Sequence, residues 1–337
     1  MFLGGIESKN EDTIVQEFEP PISSSYSSSS SSGKAQKKTQ RKSKKQKSPI
    51  PFNSIKHSYH LELKQKLSSL NSSRDNNNST TGYVLWQTTP FFIAWLLYHT
   101  DHYTLEQNFD LRNFVFNSNI IELGSGVSGV SAVILPNYLN KSNYYVATDQ
   151  KGLLSTLKEN VINNKNEIIH NVKPLKSVTM NWCKPLKESF LFKNELDSQT
   201  EEFFHIEVEP LDWEYVTTQK LPCFVEKALG DSRSENCTIL AMDVIYNDFL
   251  IKPFLDTLET LFKKWGSENH SSKITKSDPQ NEGKSIKAIM GLQLRAQDVV
   301  QDFLMEAVLE YEFNVHVLHS EYLNSSRFCF YVISPSI

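Results

Sequence analysis

Ile120-Ile121-Glu122-Leu123-Gly124-Ser125-Gly126-Val127-Ser128-Gly129 is an apolar run that closes on an acid and three spaced glycines, and Tyr144-Tyr145-Val146-Ala147-Thr148-Asp149 follows it. A short apolar run bounded by glycines reads as a buried strand that turns sharply into a helix. Glycines at such a turn let the backbone approach a ligand where any Cβ would collide. The second run is another strand, ending in a carboxylate. In a βαβ unit both strand ends lie on one edge of the sheet. Asp149 can then accept two hydrogen bonds from the vicinal hydroxyls of a ribose seated on the glycine turn. The pair predicts a nucleotide-like ligand and leaves its identity open.

Working outward from this pair, strand and helix signals alternate regularly from Asn119. Strands are expected at 119–123, 144–148, 205–210, 237–242 and 286–293, and helices at 129–138, 151–164, 249–265 and 296–311. Ile251, Phe254, Leu255, Leu258, Leu261, Phe262 and Trp265 recur at three- and four-residue steps, one apolar stripe suited to a sheet. Alternation of this kind implies a mostly parallel sheet with helices on both faces, a Rossmann-like α/β fold. The close is different. Glu312 to Leu318 and Arg327 to Ile333 are β-rich runs joined by eight residues, too few for a crossover, so the sheet ends in a C-terminal antiparallel hairpin. Pro90 stands in the first turn of a helix expected over Phe91 to Leu97.

Composition divides the chain. With 39% hydrophobic and 11% aromatic residues over 337 positions it can bury one large core. The first fifty residues differ: a serine tract from Ser23 to Ser32, broken only by Tyr26, precedes eight Lys and Arg residues between Lys34 and Lys47 without one acid. Residues 1–50 are therefore expected to form a disordered tail, 51–80 an N-terminal extension, and 81–337 one large domain. Polar stretches near 171–203 and 266–284 lack periodicity and read as surface insertions. Residues 51–337 hold 26 basic residues against 34 acidic ones, about −8, which disfavours duplex binding and suits a basic protein partner. The basic tail reads as a solvated charge run, a localisation signal or an arm for weak RNA or ribosome contact. Cys183, Cys223, Cys237 and Cys329 form no C-x-x-C and no zinc spacing, so a reducing, cytoplasmic setting without a structural metal is expected. Met1 to Ile6 is too short for a signal core, and Phe91 to Leu97 cannot span a bilayer, so no membrane is expected.

Gly124-x-Gly126-x-x-Gly129 with Asp149 twenty residues on satisfies the dinucleotide fingerprint, so an NAD-dependent oxidoreductase is one reading. Other features point elsewhere. Glu122-Leu123-Gly124-Ser125-Gly126 resembles the first motif of the seven-stranded, class I S-adenosylmethionine methyltransferases, and Met242-Asp243-Val244-Ile245-Tyr246 is similar to the D-x-x-Y motif of the lysine-methylating methyltransferase-like 21 group. Tyr83-Val84-Leu85-Trp86 resembles the segment where that group places a tryptophan near the cofactor. Val208 to Glu214 resembles its L-x-W element, with Trp182 competing with Trp213 for that role. Over roughly 80–335 the chain is similar to the fungal ribosomal lysine methyltransferases of the group.

The resemblance implies S-adenosylmethionine as methyl donor. Trp86, Glu122, Gly124, Ser125, Gly126, Asp149, Trp213 and Met242 would bind it, while Asp243 and Tyr246 would orient the lysine. It implies monomethylation of a large-subunit ribosomal stalk protein, with another translation or chaperone protein as the alternative substrate; a non-catalytic cofactor-binding module is a further rival. Gly129 reads as a packing residue between helix and sheet. Methyl transfer to an amine needs alignment in a dry site and no covalent enzyme intermediate, so no nucleophile triad or metal is expected.

Overall fold

The computed structural model describes residues 6–10, 13–21, 55, 57–66, 81–99, 103–104, 109–139, 143–170, 173–174, 177–183, 187–193, 203–230, 236–269, 284–324 and 326–336. Three N-terminal strands, β1 (Ile6–Asn10), β2 (Thr13–Phe18) and β3 (Tyr59–Lys64), pair antiparallel in that order. Helix α1 (Thr88–Tyr98), β4 (Tyr103–Thr104) and α2 (Leu111–Phe116) lead into the main domain. There follow β5 (Ser118–Leu123), α3 (Val130–Ile134), β6 (Tyr144–Asp149), α4 (Leu154–Asn163), β7 (Ile169–His170), β8 (Lys173–Pro174), β9 (Ser177–Cys183), β10 (Lys187–Lys193) and β11 (Phe203–Pro210). The chain continues through α5 (Cys223–Gly230), β12 (Asn236–Met242), α6 (Ile251–Asn269), β13 (Ser285–Gln293), α7 (Gln297–Leu309), β14 (Asn314–Val317), β15 (His319–Ser320), α8 (Glu321–Asn324) and β16 (Phe328–Ser334).

The main sheet runs β14-β16-β13-β12-β5-β6-β11-β10-β9. From β13 to β11 every pairing is parallel, whereas β16 runs antiparallel to both β13 and β14. The expected C-terminal hairpin is present, but its antiparallel strand does not end the sheet: β16 inserts beside β13 and leaves β14 at the edge. The insertion near 171–203, expected as a surface excursion, instead adds β10 and β9 outside β11. The physical reason is the open edge of β11, whose backbone donors and acceptors a hairpin satisfies.

Side chains alternate between two cores, one on each face. Ile120, Tyr145, Ala147 and Leu240 join the layer with α1, α3 and α4, while Ile121, Leu123, Val146 and Ile239 join the layer with α5, α6 and α7. The α6 stripe is buried as its periodicity predicts. Phe91, Phe92 and Trp95 of α1 pack on Phe330 with ring centroids 5.4 to 6.0 Å away. The α1 carboxyl end is capped by a buried guanidinium: Arg112 donates through Nε to Leu96 O (2.9 Å) and through Nη2 to Leu97 O (3.0 Å).

The stretch 1–50 departs from the expectation of a uniform tail. Thr13 to Phe18 forms β2, with Ile14, Val15 and Phe18 buried. Averaging over fifty residues hid the three apolar residues of this hexapeptide beneath the serine and lysine runs, and 22–50, which holds those runs, lies outside the described residues. On β3, Tyr59, Leu61 and Leu63 are buried in alternation.

Two asparagines, Asn160 of α4 and Asn164 at its C-cap, act as a substitute strand for the outer edge of β3. Asn160 accepts from Lys64 N–H at 2.7 Å and donates to Lys64 O at 2.8 Å; Asn164 does the same with Glu62 at 2.9 and 2.8 Å. The match is geometric, because residues four apart on a helix rise about 6 Å and residues two apart on a strand about 6.8 Å. Asn160 also donates to Val127 O at 2.6 Å, tying the small sheet to the glycine turn. Asn160→Ala leaves buried backbone groups unpaired and is expected to cost about 2–4 kcal/mol in urea unfolding, more than Asn164→Ala, which leaves the glycine turn untouched.

Candidate active site

A cleft opens at the carboxyl ends of β5, β6 and β12. The chain leaves β5 toward β6 and β11 on one side and later returns to β12 and β13 on the other, so the cleft stands where the strand order reverses.

Its floor is the turn after β5. Gly124 and Gly126 hold φ of +65° and +61°, in the left-handed region. A Cβ on Gly124 would lie 2.7 Å from Val244 Cγ1 and 3.4 Å from the Trp213 ring, and one on Gly126 would lie 3.0 Å from Gly82 O. The floor is therefore bare backbone between fixed walls. Gly129 plays the packing part expected of it: its Cβ would meet Val161 and Leu157 of α4 at 3.0 and 3.1 Å.

Asp149, at the end of β6, is almost wholly buried. Its Oδ2 accepts from Gly126 N–H (2.7 Å) and its Oδ1 from Gln150 N–H (2.6 Å). Burial pushes its pKa up to about 6 although both N–H groups favour the charged form. The other acid of the first motif lies elsewhere. Glu122 is not among the residues that line the cleft; its carboxyl sits beneath the turn and accepts from Tyr145 Oη at 2.8 Å. Side chains alternate along β5, and the one at 122 enters the layer behind the glycines. Of the residues expected to touch the cofactor, Glu122 is the one whose carboxyl is bonded behind the turn and not at the cleft wall. Burial raises its pKa.

One wall comes from the segment before α1. Gly82 O accepts from Val127 N–H at 2.9 Å, Lys66 N–H donates to Tyr83 O at 2.9 Å, and Trp86 Nε1 donates to Thr81 O at 3.0 Å. This segment is bonded to both the glycine turn and the end of β3. Leu211 and Trp213 line the cleft after β11, and the Trp213 ring meets Phe254 of α6 edge-on at 5.4 Å. The side chain of Trp182, the rival tryptophan, lies outside the described residues.

The last wall is the end of β12. Met242 and Asp243 line the cleft, and Asp243 takes φ of +60°, a strained conformation that aspartate tolerates better than most residues. Its carboxylate is already engaged: Gln293 N–H donates to Oδ1 at 3.2 Å, and Arg295 forms an ion pair through Oδ2. The Arg295 guanidinium lies over the Trp86 ring, 4.5 Å from its centroid. Burial raises the Asp243 pKa and Arg295 opposes it. Tyr246 is 40% exposed at the mouth.

Nine of the ten residues predicted for the site thus line one cleft. Reading the sequence missed Gly82 and Arg295, and it noted Leu211 only as part of the L-x-W element. Gly82 carried a weak signal, as a glycine just before Tyr83; Arg295 carried none, since it reaches the site only through the pairing of β13 with β12. Among the described residues no group of three or more His, Cys, Asp or Glu is placed to hold a metal, and no helix is long and apolar enough to cross a membrane.

Strand order and a glycine-floored cleft at the switch point define a class I methyltransferase. Residues 64–199 match the family model described as lysine methyltransferase. Ribosomal lysine N-methyltransferase 5 of Saccharomyces cerevisiae is 34% identical over 304 residues, covering 82% of this chain and 78% of that one. The protein of the same name from Kluyveromyces lactis is 36% identical over 297 residues, covering 85% and 81%. This chain belongs to the lysine methyltransferase family.

Gly124→Ala would place a side chain at positive φ and against Val244. It is expected to destabilise the fold by about 1–3 kcal/mol or more, read as a lowered thermal midpoint.

Proposed function

We propose that the chain uses S-adenosylmethionine to monomethylate a lysine on a large-subunit ribosomal protein, the stalk protein in particular, in the cytoplasm. The observation that carries the cofactor assignment is Asp149: a buried carboxylate bonded to the glycine floor, each oxygen of which keeps a free lone pair for a ribose hydroxyl. The bare-backbone floor between Val244, Trp213 and Gly82 fits a ligand that must lie close against it. The printed name of the two relatives and the acidic balance of residues 51–337 support a basic ribosomal substrate.

When bound, the cofactor supplies an electrophilic methyl group on a sulfonium centre. Asp149 holds the sugar, and the apolar Leu211 with the flat Trp213 ring beside it suits a base. Trp86, on the opposite side, and Tyr246, at the mouth, exclude water and border the path by which a lysine enters. Asp243 lies between cleft and mouth. The residues need only align an amine with the methyl group, so alignment and desolvation supply the rate.

Incubating ribosomal proteins with isotopically labelled S-adenosylmethionine is expected to place one methyl on one lysine of a large-subunit protein, located by mass spectrometry; labelling confined to other proteins would reject the substrate. Asp149→Ala is expected to weaken S-adenosylhomocysteine binding by about 1–3 kcal/mol in calorimetry. Only the ionised carboxylate accepts both hydroxyls, and its pKa stands above the ordinary aspartate value at about 6. Affinity should therefore hold above that pH and fall as pH drops through it, and Asp149→Asn should flatten the dependence. Phe249, 90% exposed three residues after Tyr246, offers the substrate an apolar hold. Phe249→Ala is expected to raise KM for the protein substrate severalfold without changing cofactor affinity.

A further inference from the structure

Asp243 and Tyr246 line two spaces at once: the cleft, and a smaller pocket that Gln293, Arg295, Val299 and Val300 line from the other side. A lysine approaching the methyl donor from the mouth passes this partition. The Asp243 side chain is 3% exposed and that of Arg295 is 38% exposed, so the arginine reaches in from the surface to a buried carboxylate. Trp86, a wall of the cleft, lies under the same guanidinium. Carboxylate and aromatic face together form a cation-binding corner, and Arg295 fills it.

That occupancy bears on the nucleophile. A free lysine has a pKa near about 10.4, and only its neutral form attacks a methyl group. An unpaired, desolvated carboxylate about 4–6 Å away favours the ammonium and raises that pKa by about 1–3 units. A carboxylate already matched by a guanidinium has little such pull. Arginine suits the task because it stays charged at every working pH and its planar head stacks on an indole.

We propose, on the reading given under Proposed function, that Arg295 keeps the substrate amine neutral by compensating the Asp243 charge at the point where the lysine enters. Arg295 is a positioning residue, acting through Asp243 and not on the reacting atoms. The titratable groups that face the carboxylate are Arg295, from the segment after β13, and Tyr246, from its own loop; Thr88 of α1 and Trp86 meet the pair as neutral groups. Asp149 is the other carboxylate of the cleft, and saturating cofactor removes its titration from the measurement.

The experiment is kcat against pH, at saturating S-adenosylmethionine and protein substrate, where the profile reports the bound complex. In Arg295→Gln the rising limb is expected to move to higher pH by about 1–2 units. Arg295→Lys, which keeps a charge, should hold the limb near its wild-type position. The double variant Asp243→Asn/Arg295→Gln should return it there despite a lower maximum, which a merely structural role would not do. Calorimetry with S-adenosylhomocysteine verifies the fold of each variant, and Arg295→Met, which keeps the stem over Trp86, replaces Arg295→Gln if that protein unfolds. A limb that coincides in wild type and Arg295→Gln overturns the proposal. So does a lower KM at every pH with the limb unmoved, which would make Arg295 a plug that the lysine expels. A wild-type enzyme that labels no ribosomal lysine rejects the functional reading itself; an active wild type with an unmoved limb rejects Arg295 alone.

Discussion

Parallel hydrogen bonding of β5 to β6 on one side and to β12 on the other sets the geometry of the whole site. Three strands running the same way deliver their carboxyl ends to one edge, and the crossovers on either side leave a gap there that no helix fills. The glycine turn, Asp149 and Asp243 all reach the cleft for this reason. Ser125 N–H donates to Thr148 O at 3.0 Å and Asp243 N–H to Gly291 O at 2.7 Å, so the sheet ladder extends past the strands and fixes the loops that leave them.

The cleft is also held from outside the sheet. The N-terminal strands are bonded by the amides of Asn160 and Asn164, and Asn160 reaches the carbonyl of Val127 in the glycine turn. Lys66 and Gly82 complete the connection, so the segment carrying Trp86 is fastened at both of its sides. A module that composition alone would count as an accessory thus shapes a wall of the active site.

Charge in the site is distributed so that each acid has a separate environment. Glu122 is withdrawn beneath the floor and bonded to Tyr145. Asp149 faces the cleft with two backbone donors, and Asp243 is matched by Arg295. Three carboxylates near one pocket would otherwise repel one another and the desolvation cost would protonate them. Burial raises the pKa of all three, and in each case a different partner opposes that rise.

How much of this was legible beforehand depended on whether the signal was local. The period of the apolar residues, the spaced glycines after Leu123 and the carboxylate after Thr148 are properties of short windows, and they carried the alternating fold, the floor of the cleft and Asp149. Met242 to Tyr246 carried the opposite wall by resemblance. Pairing between distant strands has no such window. That β16 inserts beside β13, that a hairpin covers the edge of β11, that Thr13 to Phe18 pairs with β3, and that Glu122 bonds Tyr145 behind the glycine turn all depend on which backbone edges and side-chain faces meet in the folded chain. Arg295 is the clearest case. Nothing around Leu294-Arg295-Ala296 marks it, and only the register of β13 against β12 brings its guanidinium to Asp243 and Trp86. The sequence by itself determined the class of fold and the glycine turn at its switch point, because both are written in local periodicity and in glycine's missing Cβ; the tertiary structure alone decided which charges face one another, because electrostatic partners are chosen by distance in space.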